Sequence, residues 1–182
     1  SWASKYKIAF FPKYGFQVIY LFDLFNPSVK EKLIEEYTVH KTPSFSPDGN
    51  SLICYFNNQD ITQIDIATRD YITIIPGDKN NGIYNMEPEF SPDGKNIVFS
   101  SNMYEKVNRD IYLYDINSKN IQRLTTLDSI ESSPHFSKDA LKIFFVSNFD
   151  GTYQIYSMNS NDGYEQKQLT FGPKNHNFGY YE

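Results

Sequence analysis

Histidine, serine and cysteine are the side chains from which this sequence could build a nucleophile or a metal site, and their spacing supports neither. The three histidines, His40, His135 and His176, form no HExxH pattern and have no clustered cysteines beside them that would complete a zinc site. No Gly-x-Ser-x-Gly sequence exposes a nucleophilic serine. The single cysteine, Cys54, stands in an apolar run with no basic neighbour to stabilise a thiolate. We therefore expect no catalytic residue, no metal site and no cofactor.

Aspartate recurs regularly, at two fixed points of a repeating pattern. One set stands in Ser-Pro-Asp-Gly corners, and the other ends segments of the form Ile-Tyr-x-x-Asp. An acid that returns at the same point of each repeat is better suited to accept hydrogen bonds from the backbone N–H groups of a turn than to act on a substrate. We expect these carboxylates to be structural: Asp48, Asp93 and Asp139 in the first set, and Asp23, Asp65 and Asp115 in the second.

The spacing of these acids reflects a sequence repeat of about 45 residues. The sequence FSPDG at 45–49 returns at 90–94 and, in the altered form FSKDA, at 136–140. A proline precedes each phenylalanine by two positions, and an apolar run follows each corner. Such a period is typical of architectures built from tandem units.

Each unit has the pattern of short strands joined by turns. In Ser-Pro-Asp-Gly, proline presets the φ angle of the second position and glycine suits the fourth, which predicts a type I turn within a hairpin. Ala140 replaces the glycine in the third copy. That corner should therefore be altered in conformation or be less stable by about 1 kcal/mol. The segment 28–37 fits either a short helix or a strand with a loop, and we favour the strand.

The predicted strands carry apolar side chains on both faces. Along 111–116, isoleucine and leucine point one way while Tyr112 and Tyr114 point the other. A sheet with one wet face alternates apolar and polar residues, whereas a sheet covered on both sides does not. Four-stranded antiparallel sheets stacked side by side are the blades of a β-propeller. The sequence therefore predicts an all-β propeller fold with about four blades.

Composition agrees with this fold and excludes some partners. The chain has 182 residues, of which 17% are aromatic, and aromatic side chains favour sheets. A net charge of -5 gives no field that would attract nucleic acid. No apolar stretch approaches the roughly 18 to 20 residues needed to span a bilayer, so we expect a chain that does not cross the membrane. The first residues lack the layout of an export signal, but processing would remove one, so the compartment stays open.

Residues 1–182 form one propeller domain or part of one. Blade limits fall near 1–40, 41–86, 87–131 and 132–177, and residues 178–182 align with the start of a fifth unit. Two arrangements remain. The chain is a piece of a larger propeller, which we favour, or its end supplies an inner strand to the first unit and closes a four-bladed ring.

The succession of P-x-F-S-P-D-G, an apolar strand, I-Y-x-x-D and a final L-T resembles the TolB-like family of β-propeller repeats. The resemblance covers the whole chain and is strongest at 43–66 and 88–125. It implies a propeller of usually about six blades, located in the periplasm or another extracytoplasmic compartment. It also implies that envelope partners bind at the rim and mouth of the channel. Similar repeats occur in propellers that precede serine peptidase domains and in pectin-degrading lyases, so membership alone does not choose an activity.

The positions that differ between repeats while their surroundings recur are candidates for binding. They lie around the Pro-x-Phe element, which the resemblance places as the innermost strand, near the central channel or its mouth. A polar ring there could hold water, a cation or a partner peptide, and a solvated channel without a ligand is the plainer alternative. The loop 101–109 is a second candidate surface. The candidate binding residues are Thr42, Ser44, Glu87, Glu89, Ser133 and His135.

Our functional hypothesis is a non-enzymatic scaffold that binds another protein or peptide through a propeller face or channel mouth. Two alternatives remain: a propeller that controls access to a hydrolase site elsewhere in a longer protein, and a carbohydrate-binding or lyase-type propeller whose aromatic side chains stack on sugar rings.

Overall fold

The computed structural model describes residues 7–10, 18–23, 30–35, 41–56 and 59–172, and within these ranges the regular structure is entirely β. The segment 28–37 contains a strand, as favoured from its sequence. No helix in the described ranges has the length and apolar character of a membrane span. The strands are β1 (Lys7–Phe10), β2 (Val18–Asp23), β3 (Lys30–Glu35), β4 (Lys41–Phe45), β5 (Ser51–Phe56), β6 (Asp60–Asp65), β7 (Tyr71–Ile75), β8 (Asn85–Phe90), β9 (Asn96–Ser101), β10 (Asp110–Asp115), β11 (Ile121–Arg123), β12 (Glu131–Phe136), β13 (Lys142–Ser147), β14 (Gln154–Asn159) and β15 (Lys167–Gln168).

The strands form four antiparallel sheets, each made of strands that are consecutive in the chain. Sheet 1 contains β1 to β3, sheet 2 contains β4 to β7, sheet 3 contains β8 to β11, and sheet 4 contains β12 to β15. Every pairing within a sheet is a hairpin between sequence neighbours. This confirms the predicted all-β fold built from four-stranded blades, with three strands described in sheet 1.

The Ser-Pro-Asp-Gly corners join the first two strands of a sheet, as predicted. At the corner between β4 and β5, the N–H of Gly49 donates to the carbonyl of Ser46 over 2.9 Å, and the N–H of Ser46 donates to the carbonyl of Ser51 over 2.9 Å. Gly49 has a φ of 75°, which an L-residue rarely adopts. The corner between β8 and β9 repeats this arrangement at Gly94, where φ is 71°.

The third corner keeps the same geometry without a glycine. The N–H of Ala140 donates to the carbonyl of Ser137 over 2.9 Å, and its φ is 61°. The corner is therefore not altered in conformation, and the alanine itself holds the left-handed backbone. The expected penalty must appear as local strain, because a Cβ in this region crowds the neighbouring carbonyl.

Apolar side chains fill the three spaces between successive sheets. In sheet 2, Leu52 and Cys54 face sheet 1, while Ile53 on the opposite face packs towards sheet 3. Burial raises the pKa of the Cys54 thiol to about 12, as expected for a small core residue. Between sheets 3 and 4, Val98 packs with Phe145 and their neighbours. Each interior sheet is thus covered on both faces, as its sequence pattern predicts.

Sheet 4 has one apolar face that the described residues leave open. Phe144, Ile155 and Leu169 are 38%, 43% and 41% exposed. Their counterparts in sheet 3, Val98, Ile111 and Leu124, are buried against sheet 4. A one-sided terminal sheet is consistent with a propeller fragment. The proposed start of a fifth unit at 178–182 lies outside the described residues.

Candidate functional site

The innermost strands of sheets 2, 3 and 4 are β4, β8 and β12. Strand β8 lies between the other two and contacts both. Each contains a proline two residues before its phenylalanine and a register shift against the next strand at that point. Proline has no N–H to donate to a neighbouring strand, so the ladder is interrupted and the strand bulges. The bulge therefore leaves the residue before each proline, Thr42, Glu87 or Ser133, out of regular pairing. The residue after each proline keeps a partner in the next strand.

Two of the candidate residues have a strained backbone. Glu87 has a φ of 55° and Ser133 a φ of 51°, and both precede a proline. A residue before proline normally takes an extended conformation, and a left-handed backbone outside glycine raises the free energy by roughly 1 to 3 kcal/mol. Strain of this kind persists where the surroundings fix it, and it clusters at binding sites.

The carboxylate of Glu87 joins sheet 3 to sheet 4. Its Oε2 accepts a hydrogen bond from the backbone N–H of Ser133 at 2.7 Å and another from the Ser100 hydroxyl at 3.0 Å. The Ser133 hydroxyl lies 3.5 Å from Oε1. The bulge leaves the backbone N–H of Ser133 without a partner in the neighbouring strand, and the Glu87 carboxylate supplies one. Glu87 is therefore held by its own sheet and by the following one.

The carboxylate of Glu89 makes the parallel connection one step along the strand. Its Oε2 lies 2.5 Å from Nδ1 of His135, and its Oε1 accepts the backbone N–H of Phe136 at 3.3 Å. The hydrogen bond to Glu89 raises the pKa of His135 above its ordinary value. The His135 side chain is 68% exposed, so this pair is accessible to solvent and to a partner.

A weaker link of the same type joins sheets 2 and 3. The hydroxyl of Ser44 accepts the backbone N–H of Phe90 at 3.4 Å. Thr42 lies in β4, but its side chain is outside the described part of the chain. The structure thus brings together Ser44, Glu87, Glu89, Ser133 and His135 in one series of contacts between consecutive sheets, which we call the inner-strand ladder.

Sequence reasoning selected these residues but missed how they pair. The partners Glu87 and Ser133, and likewise Glu89 and His135, are each separated by 46 residues, which is one repeat. The constant offset was therefore the signal that could have revealed the pairing.

The corner aspartates have the predicted structural role. Asp48, Asp93 and Asp139 each accept a hydrogen bond from the serine two residues earlier at 2.6 Å and one from a backbone N–H two residues later. These hydrogen bonds hold the pKa of all three carboxyl groups below the ordinary value. Asp65 and Asp115 accept backbone N–H groups of the next turn in the same manner.

A buried ion pair organises the 101–109 loop, and sequence analysis did not identify it. Nη2 of Arg123 lies 2.8 Å from Oδ2 of Asp110, which is fully buried at the start of β10. The guanidinium of Arg123 also lies 4.0 Å from the centre of the Tyr104 ring, and its Nη2 lies 3.9 Å from Oε1 of Glu105. Burial raises the pKa of Asp110. The ion pair thus attaches the second predicted surface to the edge of sheet 3.

A second buried acid, Glu131, begins the inner strand of sheet 4. Hydroxyl groups surround it: Ser129 donates to Oε1, Ser147 donates to Oε1 at 3.0 Å, and Thr125 donates to Oε2 at 3.2 Å. Burial raises the pKa of Glu131. At the corresponding position of sheet 3, Asn85 accepts a hydrogen bond from Ser101 at 2.8 Å. Ser101 and Ser147, one repeat apart, thus each donate a hydrogen bond to the first residue of the inner strand in their own sheet.

Within the ranges that the structure describes, no three histidine, cysteine, aspartate or glutamate side chains come together as metal ligands. His40 and His176 lie outside those ranges. The arrangement of the inner-strand ladder is suited to polar recognition: carboxylates, hydroxyls and one imidazole lie along a strained backbone.

Comparison with known proteins identifies relatives for this fold and its repeats. The family described as TolB beta propeller domain matches residues 60–179. The Tol-Pal system protein TolB of Helicobacter hepaticus is 30% identical over 87 residues, which is 48% of this chain and 20% of that protein. The match therefore covers about a fifth of the length of this curated relative.

Two solved structures have the same architecture over most of the chain. The crystal structure of TolB from Acinetobacter baumannii matches with a TM-score of 0.79 and 29% identity, covering 92% of this chain and 41% of that one. A putative TolB from Agrobacterium tumefaciens matches with a TM-score of 0.74 and 22% identity, covering 90% of this chain and 60% of that one. With a family match over more than half of its length, this chain belongs to the TolB β-propeller domain family.

Proposed function

We propose that this propeller domain is a non-enzymatic scaffold that binds a partner protein or peptide at the inner-strand ladder. The observation that carries the proposal is the left-handed backbone at Glu87 and Ser133, at two equivalent positions of neighbouring blades. At both positions the strain accompanies the hydrogen bond between Glu87 and Ser133, which joins the two sheets and fixes the direction of the polar groups beside it. A surface that presents polar groups in a fixed direction is suited to binding.

The charges of the ladder indicate the chemistry of the partner. Glu87 and Glu89 contribute two carboxylates, and each carboxylate can accept about four hydrogen bonds. The contacts with Ser133, Ser100 and His135 leave part of this capacity for a ligand. We infer that the partner segment is basic or rich in hydrogen-bond donors, because such a segment complements the carboxylates.

The absence of an enzymatic role is also part of the proposal. In the ranges with described coordinates, the acids with shifted pKa values have structural partners: corner aspartates bind turns, Asp110 binds Arg123, and Glu131 binds three hydroxyls. The three hydroxyls around Glu131 belong to Ser129, Ser147 and Thr125, which are buried, and the serines bound by the corner aspartates hold turns. None of these hydroxyls is therefore an activated nucleophile that a substrate could reach. Binding is the chemistry that the partly exposed inner-strand ladder supports.

The relatives suggest where the partner is found. The curated relative is named as a protein of the Tol-Pal system, and the chain spans only part of it. We propose that this domain likewise acts in an extracytoplasmic compartment, on a protein of the cell envelope.

Site-specific photo-crosslinking in the intact parent protein, expressed in its native cells, tests the proposal. A photoreactive residue at position 135 should give a crosslinked product of defined mass. The same residue at position 117, an exposed turn of sheet 3, should not. Glu87→Gln should lower the crosslinking yield at position 135. Glu165 is an exposed acid outside the inner-strand ladder, so Glu165→Gln should leave that yield unchanged. No product at position 135, or the same product at both positions, would contradict binding at the ladder.

A further inference from the structure

The loop between β7 and β8 contains the only Asn-Gly sequence of the chain, Asn81-Gly82. Asn81 is exposed, and Gly82 has a φ of 69° and no side chain to shield its backbone nitrogen. Only a distant atom of the Tyr84 ring, 4.0 Å away, would meet a Cβ at Gly82. The amide carbon of the Asn81 side chain is thus followed by a residue without a Cβ, which leaves more space beside the attacking nitrogen than any other residue type would.

Asp78 holds this loop closed through both of its carboxylate oxygens. Its backbone pairs with Ile83, through N–H to carbonyl contacts of 3.1 Å and 2.8 Å. Its Oδ1 accepts the backbone N–H groups of Asn80 and Asn81, each at 3.0 Å. Its Oδ2 accepts the side-chain amide of Asn81 at 2.6 Å. The leaving group of any reaction at Asn81 is therefore bound to Asp78.

We propose that Asn81 is a site of spontaneous deamidation, and that Asp78 slows the reaction by fixing the Asn81 side chain and backbone. The Gly82 nitrogen attacks Cγ of Asn81, a C–N bond forms, and the Cγ–Nδ2 bond breaks. The Gly82 proton leaves with Nδ2 as ammonia. Water then opens the cyclic imide at either carbonyl, which gives aspartate or isoaspartate. Water is the only co-reactant, and no oxidation or reduction occurs.

The product disrupts the contact that slowed its formation. An aspartate at position 81 places a second carboxylate against Oδ2 of Asp78, where an amide donated before. Hydrogen bonds hold the pKa of Asp78 below its ordinary value, so Asp78 is ionised at neutral pH and the two charges repel. Isoaspartate also adds a methylene to the backbone and shifts the pairing of Asp78 with Ile83. The loop that leads into the inner strand of sheet 3 is therefore loosened.

Timed incubation of the folded chain at neutral pH and physiological temperature, followed by peptide mass spectrometry, measures the reaction. Each deamidation adds about 1 Da to the peptide. We expect Asn81 to deamidate several times faster than Asn117, an exposed asparagine in a turn that is followed by serine instead of glycine. Asp78→Ala should at least double the rate at Asn81 and leave the rate at Asn117 unchanged.

Two further measurements separate the parts of the proposal. In the chain unfolded by urea, the wild type and Asp78→Ala should deamidate at the same rate, because the folded contacts are lost. In the folded state, Asn81→Asp should accelerate amide hydrogen exchange at Ile83 several-fold, with no change at Ile111 in the core of sheet 3. A rate at Asn81 no higher than at Asn117 would refute the modification site. Equal folded rates with and without Asp78 would refute its restraining role.

Discussion

Glu89 and His135 belong to different blades and meet across the boundary between them, with Oε2 and Nδ1 2.5 Å apart. They occupy the same position of consecutive repeats, so one strand supplies the acid and the next supplies the base. The pair lies at the surface, where an ion pair adds little to folding stability but remains available to a partner. Its protonation state should therefore change folding stability only slightly and matter mainly for the proposed binding.

The titration of His135 should depend on Glu89. The carboxylate raises the folded-state pKa of His135 above its unfolded value. The pair therefore stabilises the folded state fully below about pH 6.5, the ordinary value. This contribution is lost as the pH rises through the raised folded pKa. Histidine proton NMR should show the pKa of His135 falling towards its ordinary value in Glu89→Gln, and remaining in place in Glu165→Gln. An unchanged titration in Glu89→Gln would contradict the pairing.

Ala140→Gly should stabilise the chain by about 0.5 to 1 kcal/mol, because glycine has no Cβ to crowd the neighbouring carbonyl at the left-handed φ of this corner. Gly94→Ala is the reciprocal test, since Gly94 has a φ of 71° and occupies the same position of the previous corner. A Cβ there would lie 3.4 Å from Cγ of Pro47, so backbone strain and not collision should destabilise it. Urea unfolding of both variants measures the change in the free energy of unfolding. If both substitutions changed it in the same direction, the two corners would not be equivalent.

Phe90→Ala should destabilise the chain by about 3 to 5 kcal/mol, since it removes a buried ring from the space between sheets 2 and 3. Glu89→Ala, one residue earlier, should change the unfolding free energy only slightly, because the carboxylate is 27% exposed and its partner more so. Thermal unfolding of the two variants provides the comparison. Similar melting shifts would mean that the inner strand is packed differently from the described structure.

Arg123→Met should destabilise the chain by about 3 to 5 kcal/mol, because it leaves the charge of Asp110 buried without its partner. Asp110→Asn combined with Arg123→Met should recover part of this loss, since an amide carries no charge to compensate. A double-mutant cycle from urea unfolding measures the coupling. The exposed pair of Lys142 and Glu165 is the matched control and should show weak coupling. Strictly additive single variants at Asp110 and Arg123 would argue against the ion pair.

The strands and corners could be predicted because their signals are local and return in every repeat. Ser-Pro-Asp-Gly specifies a turn by itself, and the apolar run after it specifies a covered strand. The segment containing β3 had no clear periodicity, and its strand is defined by pairing with β2. Tertiary pairing decided that case, as it does wherever intrinsic preference is weak.

The pairings between sheets could not be predicted, because they depend on how neighbouring sheets lie against each other. The sequence indicated polar residues around the prolines, but it could not show that the Glu87 carboxylate accepts a hydrogen bond from the next blade instead of from water. The left-handed φ of Glu87 and Ser133 opposes the usual preference of a residue before proline. Asp110 and Arg123 have the residue types of an exposed edge, and only the structure shows that they pair between β10 and β11 with the Arg123 guanidinium against the Tyr104 ring.

The paired positions of the inner-strand ladder, 46 residues apart, carry different side chains in sheets 3 and 4, so these two blades are not interchangeable. Sheet 3 presents two acids to its successor, and sheet 4 presents a serine and a histidine to its predecessor. Reversing the order of these two units would separate both acids from their partners, although the apolar surfaces would still match in character. A duplicated or shuffled repeat would therefore stack correctly and yet lack the polar contacts that fix its neighbour, so the order of the modules is itself encoded in these few side chains.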